Sequence, residues 1–184
     1  MVARIWERLI QVFCIISLSI ALPGQTAKQS SSSFPNYFAP DRENEGFAHA
    51  QRPSDEVLDA LLATNEARES ASDLRALSRE KLRGLFQVVR IKLNEEEQDF
   101  LAQGAGPLTG ADCYWFWIVR VKDGQAKVLL FVNGLAVTIL PHTTNGYFDI
   151  RGDWATAAFS GMGVFQYDGT AYKRVRERSW ANKP

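Results

Sequence analysis

The sequence is poor in cysteine and histidine, the side chains that most often build disulfides, metal sites and nucleophilic centres. Its 184 residues include two cysteines and two histidines. Cys14 lies in an N-terminal apolar stretch, so removal of that stretch would leave Cys113 as the single thiol. A chain with one thiol has no internal disulfide and depends on packing for its stability. We expect Cys113 to be a small buried residue, with a catalytic or intermolecularly bonded cysteine as the alternative.

The chain also lacks an excess of charge of either sign. Its 21 lysine and arginine residues balance 21 aspartate and glutamate residues, which gives a formal net charge of zero. Nucleic-acid-binding proteins usually carry a basic excess or a basic cluster, so we do not expect a nucleic-acid partner. The apolar fraction of 46% is sufficient for one hydrophobic core.

The N-terminal apolar stretch is too short to be a typical membrane span. It covers residues 9–22, which is 14 residues, whereas a transmembrane helix needs roughly 20. Arg4 and Arg8 precede it, and small residues follow it. This pattern predicts a signal peptide over residues 1–27, cleaved after Ala27 or alternatively Ala21, with an uncleaved anchor as the other interpretation. We therefore expect a periplasmic or secreted protein with no stable membrane span after cleavage.

Residues 28–53 are rich in serine and proline and predict a disordered tether. Residues 54–84 predict a pair of helices, since leucines recur there at helical spacing with a break near Glu69. Residues 85–180 predict an antiparallel β domain. The expected fold is α+β, with the N-terminal helical pair packed on an antiparallel sheet, and residues 54–180 forming one globular unit.

Two hairpins stand out in the β region, and they recur at a regular distance. Residues 114–122 and 127–133 flank an Asp123-Gly124 turn, and residues 163–167 and 171–175 flank a turn at 168–169. These Asp-Gly pairs are 45 residues apart, and Asp99 and Asp149 are 50 residues apart. The sheet is therefore expected to contain two related hairpin units, which arose either by duplication or by the ordinary recurrence of hairpins.

These units resemble the blade repeat of FG-GAP and VCBS proteins, which form β-propellers and bind calcium in an acidic loop. The best match is the segment 143–150, where Asn145, Gly146 and Asp149 occupy places of that loop. The place of the first acidic ligand is taken by Pro141, and only one carboxylate is present. Calcium needs six to eight oxygen ligands, so we predict no metal and no other cofactor.

Residues from about 91 to 172 also resemble a group of small exported bacterial proteins of unknown function. The shared features are a Phe-Trp-Ile strand at 116–118, an Asn-Gly-Tyr-x-Asp-Ile segment at 145–150 and a Tyr-x-Asp-Gly-x-x-Tyr hairpin at 167–172. The resemblance implies a β fold and export. It implies no activity.

The sequence contains no G-x-S-x-G motif and no histidine and cysteine residues at the spacing of a metal site. A triad of His142, Asp149 and Ser160 is the one catalytic arrangement that the residues allow, and nothing in their spacing requires it. We therefore expect a non-catalytic protein.

Exposed aromatic residues are the stronger functional candidates. Trp154 lies in a polar segment beside Asp153, where an exposed aromatic would indicate a partner. Trp115 and Trp117 share one face of a strand and predict either a buried core or a stacking surface.

The leading hypothesis is a non-catalytic binding or inhibitor-like protein of the cell envelope. Its partner would be an envelope protein or a cell-wall glycan, contacted through the 142–154 segment. The candidate binding residues are His142, Asn145, Asp149, Asp153, Trp154, Trp115 and Trp117. The alternatives are a small envelope hydrolase that uses His142 with Asp149 or Ser160, and a purely structural envelope protein.

Overall fold

The structure is a computed structural model that describes residues 36–40, 46–110 and 113–182. Most of this part of the chain is antiparallel β-sheet. The strands are β1 (Tyr37–Phe38), β2 (Phe86–Ile91), β3 (Gln98–Gly104), β4 (Tyr114–Lys122), β5 (Gln125–Gly134), β6 (Ala136–Thr144), β7 (Tyr147–Ala155), β8 (Phe159–Tyr167) and β9 (Tyr172–Ala181). The predicted signal peptide lies outside the described residues. Among those described, no helix is long and apolar enough to cross a membrane.

The strands form two antiparallel sheets in which consecutive strands are neighbours. The four-stranded sheet has the order β2-β3-β4-β5, and the five-stranded sheet has the order β1-β6-β7-β8-β9. Strand β4 has the bounds predicted from its dense aromatic and β-branched residues. The turn that follows has positive φ at Asp123 (51°) and Gly124 (74°), as a two-residue primed turn requires.

The described chain contains two four-stranded meanders, β2–β5 and β6–β9, and each ends in one of the two hairpins predicted from sequence. In both, an acidic residue of the second strand is hydrogen-bonded to a polar residue of the third strand. Asp99 pairs with Arg120, and Asp149 pairs with Gln166. Both meanders also carry a bulge in their last hairpin.

The larger hydrophobic core fills the space between the two sheets. It includes fully buried side chains from both sheets, such as Leu101, Phe116 and Ile150. These residues follow the period-2 alternation of their strands, so the opposite faces of the same strands carry different side chains. Burial of this core is the main contribution that holds one sheet on the other.

Four short helices occupy the region predicted to hold a helical pair. They are α1 (Asp55–Leu62), α2 (Asn65–Glu69), α3 (Ala71–Leu74) and α4 (Arg79–Gly84). Two of them begin at side-chain caps, since the hydroxyls of Thr64 and Ser78 accept hydrogen bonds from backbone N–H groups three residues later. Each of these two caps starts a new helix inside a segment that was predicted as one helix, which explains why four short helices replace the predicted pair.

The helices contribute a second core on the far face of the four-stranded sheet. Leu58 and Leu61 of α1 are fully buried there, together with Trp117 and Val119 of β4. The other sheet therefore covers one face of the four-stranded sheet, and the helices cover part of its second face.

Part of the segment predicted to be a disordered tether belongs to the folded body. Strand β1 pairs with β6, and Phe38 is fully buried in the inter-sheet core. Gln51 forms a bridge with Val88 of β2. The prediction is wrong for these residues because it weighed serine and proline content and did not recognise Tyr37-Phe38 as a strand. The rest of the predicted tether, 28–35 and 41–45, lies outside the described residues.

Candidate functional site

A bulge in β6 brings two of the predicted site residues together. The β6–β7 register jumps between Ile139 and Thr143, so His142 lies opposite Asp149. His142 Nδ1 is 2.8 Å from Asp149 Oδ2, and Gln166 Nε2 donates to the same oxygen at 3.0 Å. The sequence allowed the contact between His142 and Asp149 as part of a triad. It did not predict the hydrogen bond from Gln166 to Asp149.

The two partners differ strongly in exposure. The side chain of Asp149 is 4% exposed and that of His142 is 69% exposed. Asp149 Oδ1 is buried and has no hydrogen-bond partner within the described residues. Because Asp149 engages Nδ1, the other ring nitrogen of His142 is the one left to meet a ligand. The pair therefore forms an oriented imidazole at the surface.

Ser160 is far from this pair, so the predicted triad is not formed. Ser160 lies opposite Ala155, six residues along β7 from Asp149, which corresponds to roughly 20 Å of strand. Its Oγ donates to Asn182 Oδ1 at 2.7 Å. The hydrolase alternative built on Ser160 is wrong for this reason. In the described part of the chain, no group of three or more histidine, cysteine or acidic side chains is placed to hold a metal ion.

Two further predicted residues are engaged by the protein itself. Asn145 and Gly146 form a tight hairpin turn, with φ values of 52° and 79°, and Asn145 Nδ2 donates to the carbonyl of Tyr167 at 2.7 Å. Asp153 accepts a hydrogen bond from Arg151 Nε at 3.2 Å. The Asn-Gly pair is a hairpin signal, and its resemblance to a calcium loop concealed that role.

The tryptophans of β4 belong to the core beneath the helices. Trp117 is fully buried and Trp115 is half-buried, and their rings pack edge to face at 6.1 Å. A stacking surface for a ligand is therefore excluded for Trp117, because its face is already covered. Trp154 is also half-buried, and its ring lies against Gly161, where a Cβ would overlap it. The sequence had predicted Trp154 to be more exposed.

A buried polar centre that the sequence analysis missed joins the two sheets. Arg120 Nε donates to Asp99 Oδ1 at 2.9 Å and also contacts Glu97. Its guanidinium lies 4.4 Å from the centre of the Tyr147 ring and donates to Tyr167 Oη at 3.2 Å. Strand alternation was the available signal, because Arg120 follows Phe116 and Ile118 on the same face of β4. A buried arginine at that position requires an acidic partner.

Burial dominates the electrostatics of this centre. It raises the pKa of the Asp99 carboxyl above its usual value, and the hydrogen bond and charge of Arg120 act in the opposite direction. Burial likewise raises the pKa of the Tyr147 and Tyr172 phenols. The centre is enclosed by its own ion pairs and rings, so we assign it a structural role.

The outer face of the five-stranded sheet, which is turned away from the other sheet, is a second candidate binding surface. Ile139, Ile150 and Phe165 form a cross-strand row that packs on the inter-sheet core. Their neighbours along each strand therefore lie on the opposite face. The rows on that face are Thr138–Arg151–Val164–Arg176, Ala136–Asp153–Met162–Arg178 and Ala155–Ser160–Trp180.

One edge of this face is basic and aromatic. Strand β9 is the edge strand, and all of its residues after Tyr172 are exposed. Arg176, Arg178 and Trp180 lie side by side on it at a spacing of two residues, and we call them the β9 strip. Trp180 is 51% exposed. Within the described residues, neither arginine of the strip has a hydrogen bond or an ion pair with another side chain.

Comparisons with known proteins add no further information about this surface. No family model, no curated protein and no solved structure matches the chain.

Proposed function

We propose that the chain is a non-catalytic binding protein of the cell envelope and that it contacts its partner through the β9 strip. The observation that carries the proposal is the pair of arginines, Arg176 and Arg178, without a partner in the described part of the chain beside a half-exposed Trp180. Arginine and tryptophan are enriched among the residues that dominate binding energies. Two adjacent cations favour an anionic partner.

The proposal shifts the centre of the contact from the 142–154 segment of β6 and β7 to β9, the edge strand of the same sheet. Arg151 lies in the same cross-strand row as Arg176, with Val164 between them. However, Arg151 is bound to Asp153, so its charge is already balanced. His142, which is mostly exposed, adds a polar contact at the other end of the sheet.

Two observations weigh against the alternatives. The hydrolase hypothesis lacks a nucleophile, since Ser160 is bound to Asn182 and lies far from His142. A purely structural protein has no need to expose large apolar side chains, yet Phe159 is 50% exposed and Val175 is 54% exposed near the same edge.

The partner is proposed to be an acidic envelope protein or an anionic cell-wall glycan. The flat ring of Trp180 suits either a sugar or a protein contact. An open edge strand also allows a protein segment to add as a further strand, which would favour the protein partner. Location in the envelope follows from the predicted signal peptide and is part of the proposal.

The test is capture of partners from envelope extract with immobilised protein. The proposal predicts that an Arg176→Gln/Arg178→Gln/Trp180→Ala variant loses the partner that the unchanged protein retains. The matched control is Arg68→Gln/Arg75→Gln/Leu77→Ala, which alters two exposed arginines and a half-buried apolar residue of the helical region.

Treatment of the extract with protease or with glycan hydrolases identifies the class of partner. Equal capture by the unchanged protein and the β9 variant would contradict the proposal. Capture lost by the helical control alone would place the contact on the helical layer.

A further inference from the structure

A cleft on the opposite side of the molecule has the features of a small-molecule site. It has a volume of about 680 Å³ and lies between residues 46–57 and the outer part of the four-stranded sheet. Pockets for small ligands usually have volumes of roughly 300–1,000 Å³. The lining residues on which the argument depends are His49, Glu56, Arg90, Gln98, Phe100 and Val121.

The floor of this cleft is apolar because α1 covers only part of the sheet. Val119 is fully buried in the helix-facing core, whereas its cross-strand neighbour Phe100 is half-buried. Val121, two residues further along β4, is also half-buried. The apolar face of the sheet thus continues beyond the helix and becomes the open floor of the cleft.

The sheet end of the cleft carries a cation, Arg90, that has no ion-pair partner among the described residues. Arg90 lies directly across from Phe100, and Gln98 lies across from Val121. Both side chains are exposed, and neither they nor His49 make a hydrogen bond or ion pair with any part of the chain that the structure describes. Arg52, which also lines the cleft, is bound to Glu80.

The helical wall carries the opposite charge. Glu56, in the first turn of α1, is exposed and is the one acidic side chain among the lining residues that the structure describes. A ligand with a single negative charge can place that charge on Arg90 and keep away from Glu56.

From this arrangement we propose that the cleft binds a small amphipathic carboxylate. The carboxylate pairs with the guanidinium of Arg90, whose planar donors match two carboxylate oxygens, and Gln98 donates a further hydrogen bond. The apolar body of the ligand covers Phe100 and Val121, which removes apolar surface of both partners from water. This site is on the four-stranded sheet and is independent of the β9 strip.

The test is isothermal titration calorimetry of the full chain with decanoate below its micelle concentration. The proposal predicts saturable binding at one site. Arg90→Gln should weaken it by about tenfold or more, as expected for loss of a hydrogen-bonded charge, whereas Glu56→Gln should tighten it. The matched control Arg75→Gln, on the helical surface outside the cleft, should leave the affinity unchanged.

A neutral amphiphile of the same chain length, decanol, separates charge recognition from simple apolar adsorption. It should bind at least several times more weakly than decanoate. Absence of saturable decanoate binding, equal binding of decanol, or an unchanged affinity in Arg90→Gln would each overturn the proposal. Circular dichroism and thermal unfolding of every variant establish that the fold is retained.

Discussion

Replacement of Arg120 by methionine is expected to destabilise the protein severely, since it leaves the buried carboxyl of Asp99 without its cation and Glu97 with Lys122 alone. Asp99 is fully buried, and the Glu97 side chain is 14% exposed. Loss of one partner from a buried ion pair typically costs about 3–5 kcal/mol. A domain of this size has roughly 5–15 kcal/mol of stability in total, so the variant should lie close to the unfolding threshold.

The assay is equilibrium unfolding in urea, with the free energy of unfolding extrapolated to water. The control is Arg151→Met, which removes the same side chain from the partly exposed pair with Asp153 and should cost less than about 1 kcal/mol. A second variant, Arg120→Met/Asp99→Leu, replaces the pair by apolar groups and should recover much of the loss. A loss below about 1 kcal/mol in Arg120→Met, or no recovery in the double variant, would refute the assigned structural role.

Three further predictions concern stability and use the same unfolding assay. Gly161→Ala should cost about 1–3 kcal/mol because its Cβ would overlap the Trp154 ring; an unchanged midpoint would show that the ring does not pack there. Gly146→Ala should cost about 1 kcal/mol, since φ is 79° at this residue; equal stability would contradict the tight turn. The pKa of Asp99 is raised in the folded state, so the folded protein binds a proton at this carboxyl more strongly than the unfolded chain does. The contribution of this carboxyl to stability is therefore greatest at low pH and is lost as the pH rises through the folded pKa. Relative to Asp99→Asn, the unchanged protein should therefore become less stable as the pH rises above about 4, and a trend in the opposite direction would contradict the burial of this carboxyl.

The features that were predictable from sequence are those encoded by neighbouring residues. The bounds of β4 and the turn at Asp123-Gly124 follow from β-propensity and turn chemistry within one segment. The hairpin signals at Asp123-Gly124 and at 168–169 also predicted the antiparallel character of the sheets. These signals are local, so a single sequence contains them.

The length of β9 could not be predicted in the same way. The sequence predicted a strand over residues 171–175 and left open its continuation through the basic tail to Arg178, whereas β9 extends to Ala181. Charged side chains are compatible with an exposed edge strand and also with a loop. Only its pairing with β8 distinguishes the two, and that pairing depends on tertiary structure.

The polar centre around Arg120 was missed for a different reason. Its members, from Glu97 to Tyr167, are separated by up to 70 residues along the chain, and only the packing of the two sheets brings them together. The alternation of β4 contained a partial signal, since it places Arg120 on the buried face. The identity of its aromatic partners required the structure.

The central claim is that the β9 strip binds an anionic partner, and the salt dependence of that binding tests it most directly. The measurement is the dissociation constant of the captured partner across a series of ionic strengths, for the unchanged protein and for Arg176→Gln/Arg178→Gln. The account predicts that affinity falls as salt rises, because exposed charges are screened over about 10 Å at 0.1 M salt, and that the double variant binds more weakly with a shallower dependence. An affinity that is independent of salt, or the same slope in both proteins, would contradict the claim.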